Sequence, residues 1–188
     1  MEEKVDLRIR KTMKALIGAL QSLLKEKDFD DITVTELCER AETRKATFYK
    51  HFGDKYELFV YMIRELERRY EEENKREYEG QPPQAFYTGI IRYTLDFLLE
   101  NEEMVKRVLR SAARPTLTEI ITEQVEFTLR DRFKEDMEKF GYTSASPDLL
   151  AAIFSGAFIR SACWWITHKY KMSKEEMVRQ VTGIIQNF

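Results

Sequence analysis

Apolar side chains recur along this chain at the period of an α-helix, and no stretch shows the alternation that is typical of a β-strand. Between residues 7 and 27 the spacing is 4-3-4-3, which places five apolar side chains on one face of an amphipathic helix. They are Ile9, Met13, Leu16, Leu20 and Leu23. Further helices are predicted over residues 84–100, 102–111, 115–140, 147–170 and 173–187, bounded by Asn101, Pro115, Gly141, Pro147 and Ser173. The pattern predicts an all-α protein of about nine helices.

Two short helices are predicted after the first one. Thr33 followed by Glu36 is a capping box that opens the second helix, and the third begins near Arg44 or Lys45. Two short helices joined by three or four residues behind a longer helix outline a helix-turn-helix. In the third helix Phe48 and Phe52 share the buried face. This leaves a set of donors toward solvent that suits phosphates and base edges, namely Arg44, Lys45, Thr47, Lys50 and His51.

The charge distribution favours one docking surface over a nonspecific nucleic-acid coat. The net charge is −2, with 34% charged residues, whereas residues 44–50 hold three cations and no acid. The 43% of hydrophobic residues and only 7 Gly and 4 Pro suit a helical globular protein.

The inventory of reactive side chains offers no catalytic or metal site. Cys38 and Cys163 are the two cysteines, His51 and His168 the two histidines, and none has a ligand or redox spacing. We therefore expect no metal, no cofactor and no enzyme activity. The N-terminus lacks the features of a signal peptide, and Arg160 interrupts the most apolar run, so we expect a cytoplasmic protein with no membrane partner.

The stretch "DITVTELCERAETRKATFYKHFGDKYELF" resembles the DNA-binding domain of the TetR/AcrR-type bacterial transcriptional regulators. The family signature is matched by Thr47, Phe48, Tyr49, Lys50, His51, Phe52 and Lys55. The resemblance implies a double-stranded DNA operator as partner and implies contacts from Thr33 and Thr35 at the start of the second helix. It implies phosphate contacts for Thr47, Tyr49, His51 and Lys55, and base reading for Arg44 and Lys45.

The turn before the third helix departs from the family pattern. Where the family has Ala-Gly-hydrophobic-Ser, this chain has Ala41, Glu42, Thr43 and Arg44. We therefore expect a positive φ at Glu42 and a transfer of the helix cap to Thr43.

The rest of the chain resembles the family's regulatory half more loosely. Asp54 is the predicted N-cap of a connector helix over residues 54–78, and we place the domain boundary there, with a DNA-binding domain at 1–55 and an effector-binding and dimerisation domain at 56–188. Two apolar stripes on the last two helices predict a homodimer interface, since one chain of this size has little core to cover both; packing inside the monomer is the alternative. The stripe residues are Leu150, Phe154, Ala157, Ser161, Trp164, Met177, Val181, Ile184 and Phe188.

A small-molecule effector is a candidate partner, because the family's regulatory domains enclose effector pockets and this half is rich in aromatics. The candidate contacts are Tyr93, Phe97, Arg110, Phe127, Phe158 and Trp165. Arg110, Arg160 and His168 become informative if they are buried, because a buried cation needs a partner; for His168 an exposed place in the last turn of its helix is the favoured interpretation.

The function expected from these observations is a sequence-specific transcriptional regulator, a repressor released from a pseudo-palindromic operator by the effector. The alternative is a TetR-like adaptor or co-activator that acts mainly through a protein partner.

Overall fold

A computed structural model describes residues 2–74, 83–141, 145–168 and 171–186. The described chain holds nine α-helices, as the sequence predicts, and one 3-10 turn at Phe29–Asp31. The helices are α1 (Glu2–Glu26), α2 (Val34–Arg40), α3 (Lys45–His51), α4 (Lys55–Asn74), α5 (Pro83–Glu100), α6 (Glu102–Arg110), α7 (Arg114–Phe140), α8 (Pro147–Thr167) and α9 (Lys174–Gln186). The predicted breaks "EGQPPQ" and the end of the connector helix fall largely outside the described residues.

The chain divides into two compact units. The first comprises Met1–Glu65 and Glu102–Leu117, and the second comprises Leu66–Asn101 and Thr118–Phe188. This division differs from the predicted boundary after residue 55, because α6 packs on α1 and therefore belongs with the helix-turn-helix. A local sequence pattern does not predict the contact between α1 and α6, because the two helices lie about 80 residues apart in the chain.

The core of the first unit is built from the apolar stripe of α1. Met13, Leu16, Leu20 and Leu23 are buried, whereas Ile9 at the start of the stripe is 37% exposed. Other elements close over this stripe and contribute fully buried side chains, which are Phe29, Ile32, Leu37, Phe48, Leu58 and Met62. Burying each large apolar side chain contributes about 1.5–3 kcal/mol to folding. This packing stabilises the helices α2 and α3, which are too short to be stable alone.

The second unit has an aromatic core. Its buried members are Tyr70, Phe86, Tyr87, Leu129, Phe133 and Ala151. The Tyr87 ring stacks on Phe133 with centroids 5.2 Å apart, and its hydroxyl donates to the buried Asp136 carboxylate at 2.8 Å. The Trp165 Nε1–H donates to the Met172 carbonyl at 2.9 Å, which ties the end of α8 to the turn before α9.

The ends of the long helices follow their sequence signals. α7 stops at Gly141, whose φ of 59° is the left-handed conformation that favours glycine after a helix. The Ser146 hydroxyl accepts from the Leu149 N–H at 3.2 Å and caps α8, with Pro147 at the first helical position. α8 is long and apolar enough to cross a membrane by composition, yet one of its faces is buried in the second unit. We therefore describe α8 as a packing helix.

Candidate nucleic-acid interface

The start of α2 is held by the predicted capping box. The Thr33 Oγ1 accepts from the Glu36 N–H at 3.2 Å, and the Glu36 carboxylate accepts from the Thr33 N–H at 3.0 Å. Lys27, one residue after α1, donates to the same carboxylate. The hydrogen bond from Lys27, followed by those from Thr33, lowers the pKa of Glu36 to about 2. Thr33 is exposed and Thr35 is half-buried beside it.

The end of α2 is fastened to α1. The Arg40 guanidinium donates to both carboxylate oxygens of Glu26 at 2.7 and 2.9 Å and to the Ser22 hydroxyl at 2.7 Å. Such a forked pair fixes direction as well as distance. These hydrogen bonds hold the end of α2 on α1, next to the turn that leads into α3.

The turn before α3 confirms one expectation and overturns another. Glu42 has a φ of 50°, as expected where the family has glycine. The N-cap residue of α3 is Arg44, not Thr43, and its side chain makes no capping hydrogen bond. The Thr43 N–H instead donates to the Cys38 carbonyl at 2.9 Å and finishes α2. α3 thus begins without a side-chain cap, and its position depends on packing.

That packing is aromatic. Phe48 is fully buried and Phe52 is 6% exposed, with ring centroids 5.6 Å apart, as the i and i+4 spacing predicts. Phe52 also meets the Tyr61 ring of α4 edge-on at 5.5 Å. These anchors on α3 determine which side chains are left outside.

The outer face of α3 is basic and free of acids. Arg44, Lys45 and Lys50 are exposed, and Tyr49 is 57% exposed with its ring edge-on to Phe48. Thr47 and His51 are half-buried at the margins of this face. Six of the predicted DNA-contacting residues therefore share one short helix and its N-cap.

Lys55 has a different environment from the one its predicted phosphate contact requires. Its ammonium donates to three backbone carbonyls, those of Phe29 (2.7 Å), Asp30 (3.0 Å) and Ile32 (2.9 Å). It also lies 4.7 Å from the centroid of the Phe29 ring. A lysine has three N–H donors, and all three are used inside the unit. Burial lowers the pKa of Lys55, although the nearby acid Asp30 opposes this effect. We therefore assign Lys55 to holding the 3-10 turn.

The same turn is fastened from its other side. The Asp30 carboxylate accepts from the Ser111 hydroxyl at 2.7 Å and from the Ala112 and Ala113 N–H groups at 2.7 and 3.0 Å. These donors lie at the junction of α6 and α7, where the N–H groups before and at the start of α7 have no partner within a helix. The hydrogen bond from Ser111, with those from the two backbone groups, lowers the pKa of Asp30. No sequence motif marks this connection, because the partners are about 80 residues apart.

The predicted effector contacts are divided between the two units. Arg110 is exposed in the first unit, whereas Tyr93, Phe97, Phe127, Phe158 and Trp165 belong to the second. Trp165 is 1% exposed and serves the turn before α9, and Phe127 is 58% exposed with the Arg130 guanidinium 5.4 Å from its ring centroid. Tyr93 packs on Tyr70 with centroids 4.8 Å apart. Tyr93, Phe97 and Phe158, all half-buried, stay predictions for an effector site.

The cations singled out as informative if buried lie at the surface. Arg110 and Arg160 are exposed. His168 is exposed as well, stacked on Trp164 with ring centroids 5.0 Å apart and with its Nδ1 2.8 Å from the Trp164 carbonyl. The favoured interpretation of His168, a residue in the exposed last turn of its helix, is confirmed.

The apolar stripe predicted for dimerisation on α8 is rotated in the structure. Leu150 and Phe154 pack against the aromatic core of the second unit, and Ser161 is half-buried. The outward face instead presents Leu149 (54% exposed) and Ile153 (52% exposed), together with the predicted Ala157 and Trp164. One residue is about 100° of helix rotation, so an error of one position moves a stripe to another face.

On α9 the predicted stripe is divided between core and surface. Met177 is 4% exposed and belongs to the core, Val181 is half-buried, and Ile184 is 58% exposed. Phe188 lies outside the described residues. Only part of the predicted interface is therefore available to a second chain.

The buried three-helix core and the acid-free basic face of α3 define a helix-turn-helix DNA-binding protein. Residues 16–62 match the family described as bacterial regulatory proteins, tetR family, and residues 87–187 match the family described as transcriptional regulator C-terminal region. The chain belongs to the TetR family of bacterial transcriptional regulators.

Individual relatives agree with this assignment. The HTH-type transcriptional regulator YxbF of Bacillus subtilis (strain 168) is 38% identical over 63 residues, which are 33% of this chain and 17% of YxbF. A TetR-family transcriptional regulator of Syntrophomonas wolfei str. Goettingen has a similar structure, with a TM-score of 0.69, 16% identity and 93% coverage of both chains. RolR, solved in complex with resorcinol, has a TM-score of 0.63 and 16% identity, with 95% of this chain and 89% of RolR covered. At these identities the structures establish the fold alone.

Proposed function

We propose that this protein is a dimeric repressor that binds a pseudo-palindromic operator through two copies of α3 and leaves it when a small-molecule effector binds. The observation that carries the proposal is the outer face of α3, with three exposed cations, an exposed tyrosine and no acid, anchored from behind by Phe48 and Phe52. A helix of this kind fits the major groove, where arginine and lysine recognise guanine.

The proposed division of labour on α3 follows from position. Arg44 and Lys45 lie at the N-terminal end, which enters the groove first in a helix-turn-helix, so we assign them to base edges. Thr47, Tyr49, Lys50 and His51, with Thr33 and Thr35 at the start of α2, are assigned to phosphates and sugars. Lys55 is left out of this set because its donors are already used.

A homodimer is proposed from the exposed apolar face of α8 and α9. Leu149 precedes Gly156 by seven residues and Trp164 follows Ala157 by seven, so an antiparallel second α8 crossing at Gly156 and Ala157 would place Leu149 of one copy near Trp164 of the other. A Cβ added at Gly156 or at Gly183 on α9 would meet no described atom within 4 Å. A helix-internal glycine costs about 1 kcal/mol relative to alanine, and packing of a side chain against the described atoms does not require glycine at either position. Close approach of a second chain would account for glycine at both positions, Gly156 and Gly183.

Operator release is proposed to work through the separation of the two α3 helices. Two half-sites in successive major grooves lie about 34–36 Å apart. An effector that binds better to a dimer with another separation weakens operator binding by the ratio of its two affinities, typically a coupling of roughly 1–3 kcal/mol. Support for a small aromatic effector comes from RolR, which was solved with resorcinol.

Selection of bound duplexes from a random pool tests the DNA-binding part. We expect a pseudo-palindromic sequence with the wild-type chain. Arg44→Ala should cost about 1–3 kcal/mol and relax the preference at one or two positions. Arg114→Ala, which removes an exposed arginine from the start of α7, is the matched control and should change neither. If Arg44→Ala weakens all sequences equally, Arg44 contacts phosphate; if the wild-type chain selects no sequence, the proposed function is wrong and the adaptor role gains support.

Sedimentation at micromolar concentration tests the dimer. The wild-type chain should sediment as a dimer, and Ile153→Asp should dissociate it, because the charge would be buried between the two copies. Leu99→Asp, at a 39% exposed position on α5, is the control that should stay dimeric. A monomeric wild-type chain would remove the two-fold arrangement from the proposal.

A further inference from the structure

In the N-terminal half of α1, after the acids Glu2, Glu3 and Asp6, lies a basic group to which the helix-turn-helix gives no role. Arg8, Arg10, Lys11 and Lys14 are all exposed, and no acid occurs between residues 7 and 25. The net charge of the whole chain is −2, so four cations in seven residues are a local concentration. The recognition helix α3 shows the same combination of exposed cations without acids.

Two of these cations lack the partners that other cations of the first unit have. Lys27, Arg40 and Arg107 form ion pairs with acids of the same unit. For Arg8 and Lys11, the residues three and four positions away on the helix include no acid, and no ion pair joins either one to an acid among the described residues. Because Arg8 and Lys11 are themselves three residues apart, their like charges destabilise the helix slightly. Stability of α1 therefore does not account for them.

Their position connects them to the start of the recognition helix. A groove in the first unit has one wall on α1 and the other on the end of α2 and the following turn. It is lined by Ala15, Gly18, Ala19, Ser22, Arg40, Ala41 and Glu42. Glu42 is followed two residues later by Arg44, the N-cap of α3.

The face of α1 that lines the groove continues to the basic group. Arg8, Lys11, Ala15 and Ser22 follow each other in steps of three, four and seven residues, which keeps them on one face. Lys11 lies about 6 Å along the helix axis from Ala15. The basic face of α1 therefore lies about one helical turn from the groove, and the opposite wall of that groove leads into the turn before α3.

We propose that Arg8 and Lys11 bind phosphates of the DNA backbone next to the bases that α3 contacts, which extends the operator interface onto α1. The occupant is DNA because the charge is complementary to phosphate and because the groove next to these cations has the turn before the recognition helix as its other wall. Glu42, the acid at the rim of the groove, repels phosphate, so the contacts lie beyond it at the two cations. Phosphate contacts of this kind add affinity and orientation without sequence preference. This inference rests on the DNA binding proposed above.

The salt dependence of binding tests it. Each phosphate contact with B-DNA contributes about 0.9 to the slope of log K against log salt concentration. The double variant Arg8→Ala, Lys11→Ala should lower that slope by nearly two. Its affinity deficit relative to wild type should be about tenfold larger at 50 mM than at 200 mM salt. The selected DNA sequence should stay the same.

A matched double variant removes two exposed cations elsewhere. Arg10→Ala on α1 is paired with Lys134→Ala on α7; Arg10 lies about 140° around the helix from Ala15 and so points away from the groove. This control should keep the wild-type slope. Ethylation interference should also show phosphate positions that wild type and control require and the test variant does not.

The outcomes separate the two proposals. A specific operator bound with the wild-type slope by the test variant, or an equal loss of slope in the control, overturns the α1 interface alone. If the wild-type chain binds duplexes without sequence preference, the proposed regulator function is wrong, whereas the slope on random duplex still tests Arg8 and Lys11. If no duplex is bound at all, both proposals are overturned.

Discussion

Replacing Lys55 by methionine distinguishes a structural lysine from a DNA-binding one. The ammonium donates three hydrogen bonds to the carbonyls of Phe29, Asp30 and Ile32, and methionine removes all three while it keeps most of the aliphatic packing. A hydrogen bond from a charged donor contributes about 1.5–3 kcal/mol when it is buried. Lys55 is only half-buried and water can replace part of each hydrogen bond, so we take about 1 kcal/mol for each of the three.

The expected loss of stability is then about 3–4 kcal/mol, since the contact of the ammonium with the Phe29 ring adds roughly 0.5–1 kcal/mol. For a chain of this length each kcal/mol lowers Tm by about 2–4 °C. Thermal unfolding followed by far-UV circular dichroism, at pH 7 and at one protein concentration, should show Tm lower by roughly 10 °C. The slope of DNA affinity against salt, measured well below Tm, should stay unchanged.

Lys50→Met is the control, because Lys50 is exposed on α3 and the variant loses the same charge. We expect it to change stability by less than about 0.5 kcal/mol and to lower the salt slope by about 0.9 if Lys50 contacts phosphate. The two variants should thus show opposite profiles. If Lys55→Met keeps the wild-type Tm and lowers the salt slope instead, the ammonium binds DNA and the structural assignment is refuted.

Two further predictions concern the same domain. The pKa of Glu36 is lowered to about 2 from 4.5, so its carboxylate adds stability above pH 4.5 and loses that contribution as the pH falls toward 2. Tm measured over this range should therefore fall less for Glu36→Gln than for wild type; parallel curves would contradict the lowered pKa. Glu42→Gly should raise stability by about 0.5–1 kcal/mol, because φ at this position is 50°, whereas Ala46→Gly inside α3 should lower it by a similar amount in the same unfolding assay. A loss of stability with Glu42→Gly would show that the Glu42 side chain contributes more than its backbone strain costs.

The helices were predictable because their signals are local. The apolar stripe of α1, the capping box at Thr33 and Glu36, and breakers such as Gly141 and Pro147 place the ends of most elements within a residue or two of the observed ones. The exposed face of α3 was predictable for the same reason, since Phe48 and Phe52 sit one turn apart and the other side chains point elsewhere.

The predictions that differ from the structure concern packing and hydrogen-bond partners, which a local sequence pattern does not specify. Thr43 resembles a cap in sequence, yet its N–H closes α2 and Arg44 takes the N-cap position. Leu150 and Phe154 belong to an apolar stripe, but a stripe does not say whether its own chain or a second chain covers it.

The sequence by itself determined that this protein is all-α, where the nine helices of the described residues run, and which residues of α3 face outward, because helix periodicity and capping depend on neighbours within a few positions. Only the tertiary structure decided that α6 packs on α1, that Asp30 caps the junction of α6 and α7, and that the ammonium of Lys55 points inward. These outcomes depend on which of several apolar surfaces and polar groups come together. The free energy of burial and hydrogen bonding selects that arrangement for the whole chain at once, and no short window of sequence contains it.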